Sequence, residues 1–302
     1  MSPTIFVVAA TGTLGKALAL DLRKIDWNVH AVVRDPSSPA AKALAAAGVK
    51  LFPGDWDNEK ALRDGMAGCD GLFLNLMPSY TDWDADVRQG RSIVAIAKAA
   101  GVKHAIYSAG NTASEHVDPN SMVAKFLNNK KLIQEAVQTA GFEFYTILRP
   151  SAFMANFLAP KVATYKGLAE TGTFETALRP DTVMPLVDEH DVAAFSIAAF
   201  KEPARFNGAN IPVASETYTT EEILRLLSQA TGLSLKADYL SEEEIAARIN
   251  NEPLLGGQMN SRALHRHYNL EEQKKWGIPV HTFQEFLERE KASLQETYGR
   301  LT

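Results

Sequence analysis

An alternation of short apolar runs with longer stretches of helical spacing constrains this chain more than any other feature. Thr4–Val8, Val29–Val33, Val49–Phe52, Gly71–Asn75, His104–Tyr107 and Glu143–Leu148 read as buried strands. Leu14–Lys24, Ala40–Ala47, Glu59–Met66, Asp84–Ala100 and Asn128–Thr139 read as the helices between them. Gly48, Gly101 and Gly141 follow three of these helices, where a left-handed residue commonly ends the last turn. Strands separated by helices pair in parallel through right-handed crossovers, which bury the sheet between helical layers. After Pro150 the rhythm changes: proline, glycine and aromatic residues become more frequent up to Pro185. Helical patterns then return at Glu189–Phe200, Thr220–Thr231, Glu242–Asn250 and Thr282–Glu296.

The first crossover opens with "VVAATGTLGKAL", Val7–Leu18. In a dinucleotide-binding turn the first glycine permits the tight bend, the second admits the pyrophosphate, and the third lets helix and strand pack closely. Gly12 and Gly15 stand at the second and third places, and Ala9 replaces the first. Alanine tolerates such a bend if its φ stays negative. Free N–H groups and the positive end of the following helix would then meet a phosphate, with Thr11 and Thr13 adding hydroxyl donors. The expected fold class is therefore α/β, with a Rossmann-type doubly wound parallel sheet. Residues 1–150 are the expected dinucleotide-binding domain, to whose sheet a strand at 209–213 returns. Residues 151–302 are expected to form a smaller, mostly helical C-terminal substrate domain.

The second strand ends "HAVVRDP". An acidic residue there would hold the ribose 2′-hydroxyl, whereas an arginine suits a 2′-phosphate. Arg34 comes first, which favours NADP(H) over NAD(H); Asp35 beside it keeps NAD(H) open, although Asp35-Pro36 is also an ordinary turn opener. The third strand ends "FPGDWDN", where Asp55 can accept from the adenine amino group and Trp56 can wall the pocket or join the core. Asp57 reads as the N-cap of the next helix.

Composition excludes several other classes. The formal net charge is −5 and there is no basic run, which argues against a nucleic-acid partner. Cys69 is the single cysteine, so no disulfide or cysteine metal cluster is expected within the chain. His104, His116, His190, His265, His267 and His281 form no metal-binding pattern, and no metal is expected. No apolar run is long enough for a membrane span, so the expected setting is cytoplasmic, or nuclear for a regulator.

"AATGTLG", "VVRDP", "GDWDN", "GLFLNL", "YTILRPSAFMANFL" and "MPLVDEHDVAAFSIAAF" resemble the NmrA-like family. This is the atypical short-chain dehydrogenase/reductase group that includes isoflavone-reductase-like enzymes. The resemblance runs from Thr4 to about Leu235, with a weaker echo in "TFQEFLERE". It implies an NADP(H)-binding Rossmann domain, a small C-terminal domain, and members divided between reductases and redox-sensing regulators. Carried onto this chain, it puts Thr11, Gly12, Thr13, Leu14 and Gly15 at the pyrophosphate and Arg34 at the adenosine phosphate. Asp55 and Trp56 fall near adenine, and Asn75, Leu76 and Met77 along the ribose. Ser108 and Ala109 would line the nicotinamide ribose, and Ser151, Phe153 and Asn156 would close the far end of that site.

Ordinary short-chain dehydrogenases carry tyrosine and lysine four residues apart on one helix face, the lysine holding the ribose and lowering the tyrosine pKa. Here "KFLNNKKLIQEAV" supplies Lys130, which matches the family lysine better than Lys131. Phe126 stands where a proton-moving residue is usual. Phe126 would line an apolar substrate pocket or belong to the core. A proton would have to come from Lys130 itself, from Tyr80 after the fourth strand, or from Tyr165 after "FMANFL". Phe153, Tyr165 and Tyr80 would join Phe126 around the substrate. The leading expectation is an NADPH-dependent reductase of a small apolar or aromatic metabolite, a carbonyl, alkene or imine. The alternatives are a non-enzymatic NADP(H) sensor that binds a protein partner, and a Rossmann shell without cofactor.

Overall fold

The structure, a computed structural model, describes residues 2–77, 79, 82–110 and 120–301. Tyr80 and His116 lie outside the described residues. In chain order the elements begin β1 (Thr4–Val7), α1 (Thr13–Lys24), β2 (Asn28–Val33), α2 (Pro39–Ala46), β3 (Lys50–Pro53) and α3 (Glu59–Met66). There follow β4 (Gly71–Leu74), α4 (Ala85–Ala99), β5 (His104–Ser108), α5 (Met122–Thr139), β6 (Phe144–Pro150) and β7 (Ala152–Phe153). Next come α6 (Leu168–Thr171), β8 (Thr173–Thr176), β9 (Val183–Val187), α7 (Glu189–Lys201), α8 (Pro203–Phe206) and β10 (Asn210–Val213). The chain continues through β11 (Glu216–Thr219), α9 (Thr220–Thr231), β12 (Lys236–Tyr239), α10 (Glu242–Arg248) and α11 (Pro253–Ser261). It ends with α12 (Leu270–Lys274), α13 (Phe283–Arg289) and α14 (Lys291–Tyr298).

Two compact units result. The first takes the described residues of Met1–Thr112, Lys125–Pro150 and Glu189–Ile211; the second takes those of Ala113–Ala124, Ser151–Asp188 and Pro212–Thr302. Glu189–Ile211 thus falls in the first unit, whereas the sequence pattern returns only 209–213 to it. The reason is packing: α7 lies along α1, and His190 at its start meets Asp21 of α1 with Nδ1 2.7 Å from the carboxylate.

The first unit is built on one sheet in the order β10-β6-β5-β4-β1-β2-β3. From β6 to β3 every neighbouring pair is parallel. The chain moves outward from β1 to β3, then returns to β4 on the other side of β1. That reversal places a crevice at the carboxyl ends of β1 and β4, the usual ligand position in an open α/β sheet. Leu72, Phe73, Leu74, Ala105, Ile106 and Tyr107 are fully buried, as strands covered on both faces must be.

The second unit carries more strand than the periodicity suggested, alongside its helices. β11-β9-β7 form one small sheet, and β12-β8 another. Its core gathers Phe157, Phe174, Leu227, Phe283, Phe286 and Tyr298. Capping boxes start α9, α10 and α13, pairing Thr219 with Glu222, Ser241 with Glu244 and Thr282 with Glu285. The expected single helix over Thr282–Glu296 is two, because Glu290 leaves helical geometry between α13 and α14.

Candidate functional site at the carboxyl ends of β1 and β4

The turn after β1 differs from expectation at its first position. Ala9 has φ +56°, in the left-handed region, rather than the negative φ that would have made alanine easy there. The bend is closed by Gly12 N–H donating to the Ala9 carbonyl at 2.9 Å. Gly12 is the N-cap of α1 and offers no side-chain cap, and no acidic residue occupies the first turn. The orphan N–H groups of Thr13, Leu14 and Gly15 are therefore left for an anion. A Cβ on Gly15 would stand 2.2 Å from the Ala9 oxygen, so only glycine lets α1 sit this close to β1.

A cleft of about 560 Å³ opens beside this turn. Six of the expected cofactor residues line it: Thr11, Gly12, Arg34, Asp55, Trp56 and Met77. Arg34 and Asp55 are exposed at the ends of β2 and β3. One oxygen of the Asp35 carboxylate is engaged locally: Oδ1 accepts from the Ser37 N–H at 2.8 Å and the Ser37 hydroxyl at 2.6 Å. Those two bonds hold the carboxyl of Asp35 below the usual carboxylate range. Trp56 both lines the cleft and packs against the sheet's core.

The helix cap after β3 is Asn58, which accepts from the Ala61 N–H at 3.0 Å; it is not Asp57. Asp57 instead accepts from Gln89 at 2.7 Å and faces Arg88 at 3.5 Å, both on α4. Asp82, Arg88 and Gln89 also line the cleft. They were missed because a charged pair at the start of a helix looks like an ordinary solvated face.

Asn75 and Leu76 follow β4, and Leu76 is buried against the α4 backbone at Gly90. Ser108 ends β5 and is buried; Ala109 next to it donates its N–H to the Leu148 carbonyl at 2.9 Å. Beyond them lies α5. Lys130 is half-buried, with Nζ 5.0 Å from the centre of the Phe126 ring, while Lys131 is exposed. Burial pushes the Lys130 ammonium down to about 8; Asp86 counteracts this and Arg149 adds to it. Asp86, itself buried in the first turn of α4, accepts from Asn129 at 2.9 Å. Tyr107 is fully buried with its hydroxyl unpartnered, and burial and Asp86 together push its pKa up. Asp86, Asn129 and Tyr107 were not expected as site neighbours. A buried carboxylate at an inward helix position was the available signal.

The remaining expected residues belong to the second unit. Ser151 is buried, its N–H bonded to the Val213 carbonyl at 2.9 Å and its hydroxyl unpartnered. Phe153 lies under Lys161, with Nζ 5.8 Å from the ring centre. Tyr165 packs between Phe157 and Phe174, with ring centres 4.8 and 5.1 Å away. Burial pushes the Tyr165 phenol up to about 12, against a hydrogen bond to the Asn156 side chain that lowers it. In this arrangement Asn156 and Tyr165 bind each other.

No group of metal-ligating side chains occurs among the described residues, and no described helix is long and apolar enough to cross a membrane. Comparison with known proteins agrees with this architecture. The chain is 28% identical over 254 residues to the NmrA-like family domain-containing oxidoreductase FrzB of Cladobotryum sp., covering 77% of this chain and 74% of that protein. It is 29% identical over 240 residues to the NAD(P)H azoreductase of Xenophilus azovorans, covering 80% and 78%. Among solved structures it superposes on NmrA, a negative transcriptional regulator in complex with NAD, with a TM-score of 0.77 at 19% identity, covering 99% of this chain and 98% of that one. The NmrA-like family itself matches over residues 1–287, and the chain belongs to that family.

Proposed function

We propose that this protein is an NADPH-dependent reductase of a small apolar or aromatic metabolite bearing a carbonyl, alkene or imine. The observation that carries the reading is the cleft beside Gly12, with Arg34 at its rim while the neighbouring Asp35 carboxylate is folded into its own turn. The residues fit the cofactor. The glycine turn leaves N–H groups for the pyrophosphate, Arg34 suits the 2′-phosphate, and Trp56 and Asp55 suit adenine. NADP(H), when bound, supplies the hydride. Lys130 on α5 would hold the nicotinamide ribose and deliver a proton to the oxygen, nitrogen or α-carbon that becomes negative when the hydride adds to the electrophilic carbon. An ammonium with a pKa of about 8 is charged at neutral pH yet gives up its proton more readily than an ordinary lysine. Phe126 beneath it would offer an apolar wall to the substrate.

Two similar proteins support this reading. The azoreductase among the relatives acts with NAD(P)H by its name, and NmrA was solved with NAD. A second reading rests on Phe126, which cannot move a proton, and on the regulator among the structural neighbours. In it the chain senses NADP(H) and binds a protein partner. Purified protein with NADPH and a panel of carbonyl, alkene and imine substrates separates the two. NADPH oxidation with product formation supports the reductase. Nucleotide binding with no turnover across the panel, and a partner held in only one redox state, supports the sensor.

A further inference from the structure

The outer wall of the cleft is unusual for its surroundings. Behind it the sheet is packed with apolar side chains, but the wall itself is held by polar, solvent-facing contacts. Arg88 on α4 reaches Asp57 of the β3–α3 loop, with Nε 3.5 Å from Oδ1, and Asp82 before α4, with Nη1 donating at 3.2 Å to Oδ2. Gln89 fixes the other oxygen of Asp57 at 2.7 Å. The Arg88 side chain remains 55% exposed despite these contacts and lines the cleft. Met77 is 60% exposed and lines the same cleft as Trp56.

We propose that Arg88 is the adenine clasp of this site: its guanidinium, oriented by Asp57 and Asp82, lies against the face of the nucleotide's adenine ring. The inference rests on the nucleotide reading above. Arg88 and Arg34 have different roles. Arg34 has no ion pair among the described residues and is the group left for a 2′-phosphate. Arg88 already faces two carboxylates, so its charge is locally offset and its planar surface is what it offers. A guanidinium stacks on aromatic rings as well as pairing with anions. The clasp therefore acts on the adenine common to both dinucleotides and does not read the 2′-phosphate.

The test compares dissociation constants of NADPH and NADH for the wild-type protein, Arg88→Ala, Arg88→Lys and Arg34→Ala, with melting temperatures as a control. Arg88→Ala is expected to weaken both dinucleotides about fivefold, leaving their ratio and the melting temperature unchanged. Arg88→Lys, which keeps the charge and loses the plane, is expected to behave like Arg88→Ala. Arg34→Ala is expected to weaken NADPH alone. Unchanged affinity in Arg88→Ala, a loss confined to NADPH, or a wild-type-like Arg88→Lys would each overturn the clasp. Wild-type protein that binds neither dinucleotide would overturn the cofactor reading and the clasp with it, a result distinct from an unchanged variant of a protein that binds.

Discussion

Lys130 holds its ammonium 5.0 Å above the ring of Phe126, one helical turn away on the same face of α5. By the family resemblance the ring would take the place of a proton donor, and the lysine above it is half-buried. If hydride transfer occurs here, the proton duty moves from the missing hydroxyl to the amine.

That shift has a pH signature. Burial lowers the Lys130 pKa from that of a free lysine to about 8. Because the folded value lies below the unfolded one, the folded state binds fewer protons in between. The charged lysine therefore costs stability at lower pH, and stability contributed by this group rises as pH increases from about 8 to about 10.4. Reductively ¹³C-methylated protein should show one lysine titrating near 8, and Lys130→Met should remove that resonance. Turnover should fall above pH 8 in the wild type. A lysine titrating above 10 at this position would contradict the assignment.

The first turn makes a second prediction. Ala9 occupies left-handed backbone, and Ala9→Gly should relieve the strain. A gain of about 1 kcal/mol is expected in chemical denaturation, with nucleotide affinity retained. Gly15→Ala should do the opposite, since its methyl would collide with the Ala9 carbonyl at 2.2 Å. Loss of about 3 kcal/mol or failure to fold is expected, because the clash is with backbone that cannot turn aside.

How much of this was legible beforehand varied with the kind of signal. The strands of the first sheet are buried on both faces, so they appear as apolar runs, and Gly71–Leu74 and His104–Ser108 fall where the residues suggested. Ala152–Phe153 is too short to show a two-residue period and Thr173–Thr176 carries a single apolar residue, so the second unit's small sheets are not legible in the sequence. Helix α5 starts at Met122, six residues before its apolar period is evident, because Ser121 caps it by accepting from the Ala124 N–H at 3.1 Å. In the site, glycine spacing and Arg34 were visible because their chemistry is local. Arg88 meeting Asp57, and Asp86 meeting Asn129, depend on chain segments brought together only by the fold.

Asp35 and Arg34 should separate in a mutational test of cofactor preference. Arg34→Gln removes a charged phosphate partner and should reduce the preference for NADPH over NADH by at least about tenfold. Asp35→Ala should leave the preference unchanged, since its Oδ1 is held in its own turn by Ser37. Affinities measured by fluorescence of the reduced cofactors would decide, and a large shift in the Asp35 variant would contradict the account.

In the second unit, Arg289 donates at 2.7 Å to Asp188, whose side chain is fully buried. Removing the arginine takes this charge-assisted bond from the buried carboxylate. Arg289→Ala should cost about 3 kcal/mol in urea denaturation, somewhat less than a wholly buried pair because the arginine is partly exposed. A change below about 0.5 kcal/mol would show the pair to be energetically idle.

The most direct measurement for the whole account is calorimetric titration of the purified protein with NADPH and, separately, NADH. Saturable one-to-one binding of both is expected, with NADPH the tighter and the difference reduced by Arg34→Gln. No heat of binding with either nucleotide, at concentrations up to the millimolar range and with the protein shown to be folded, would contradict the central claim that this glycine turn seats a phosphorylated dinucleotide.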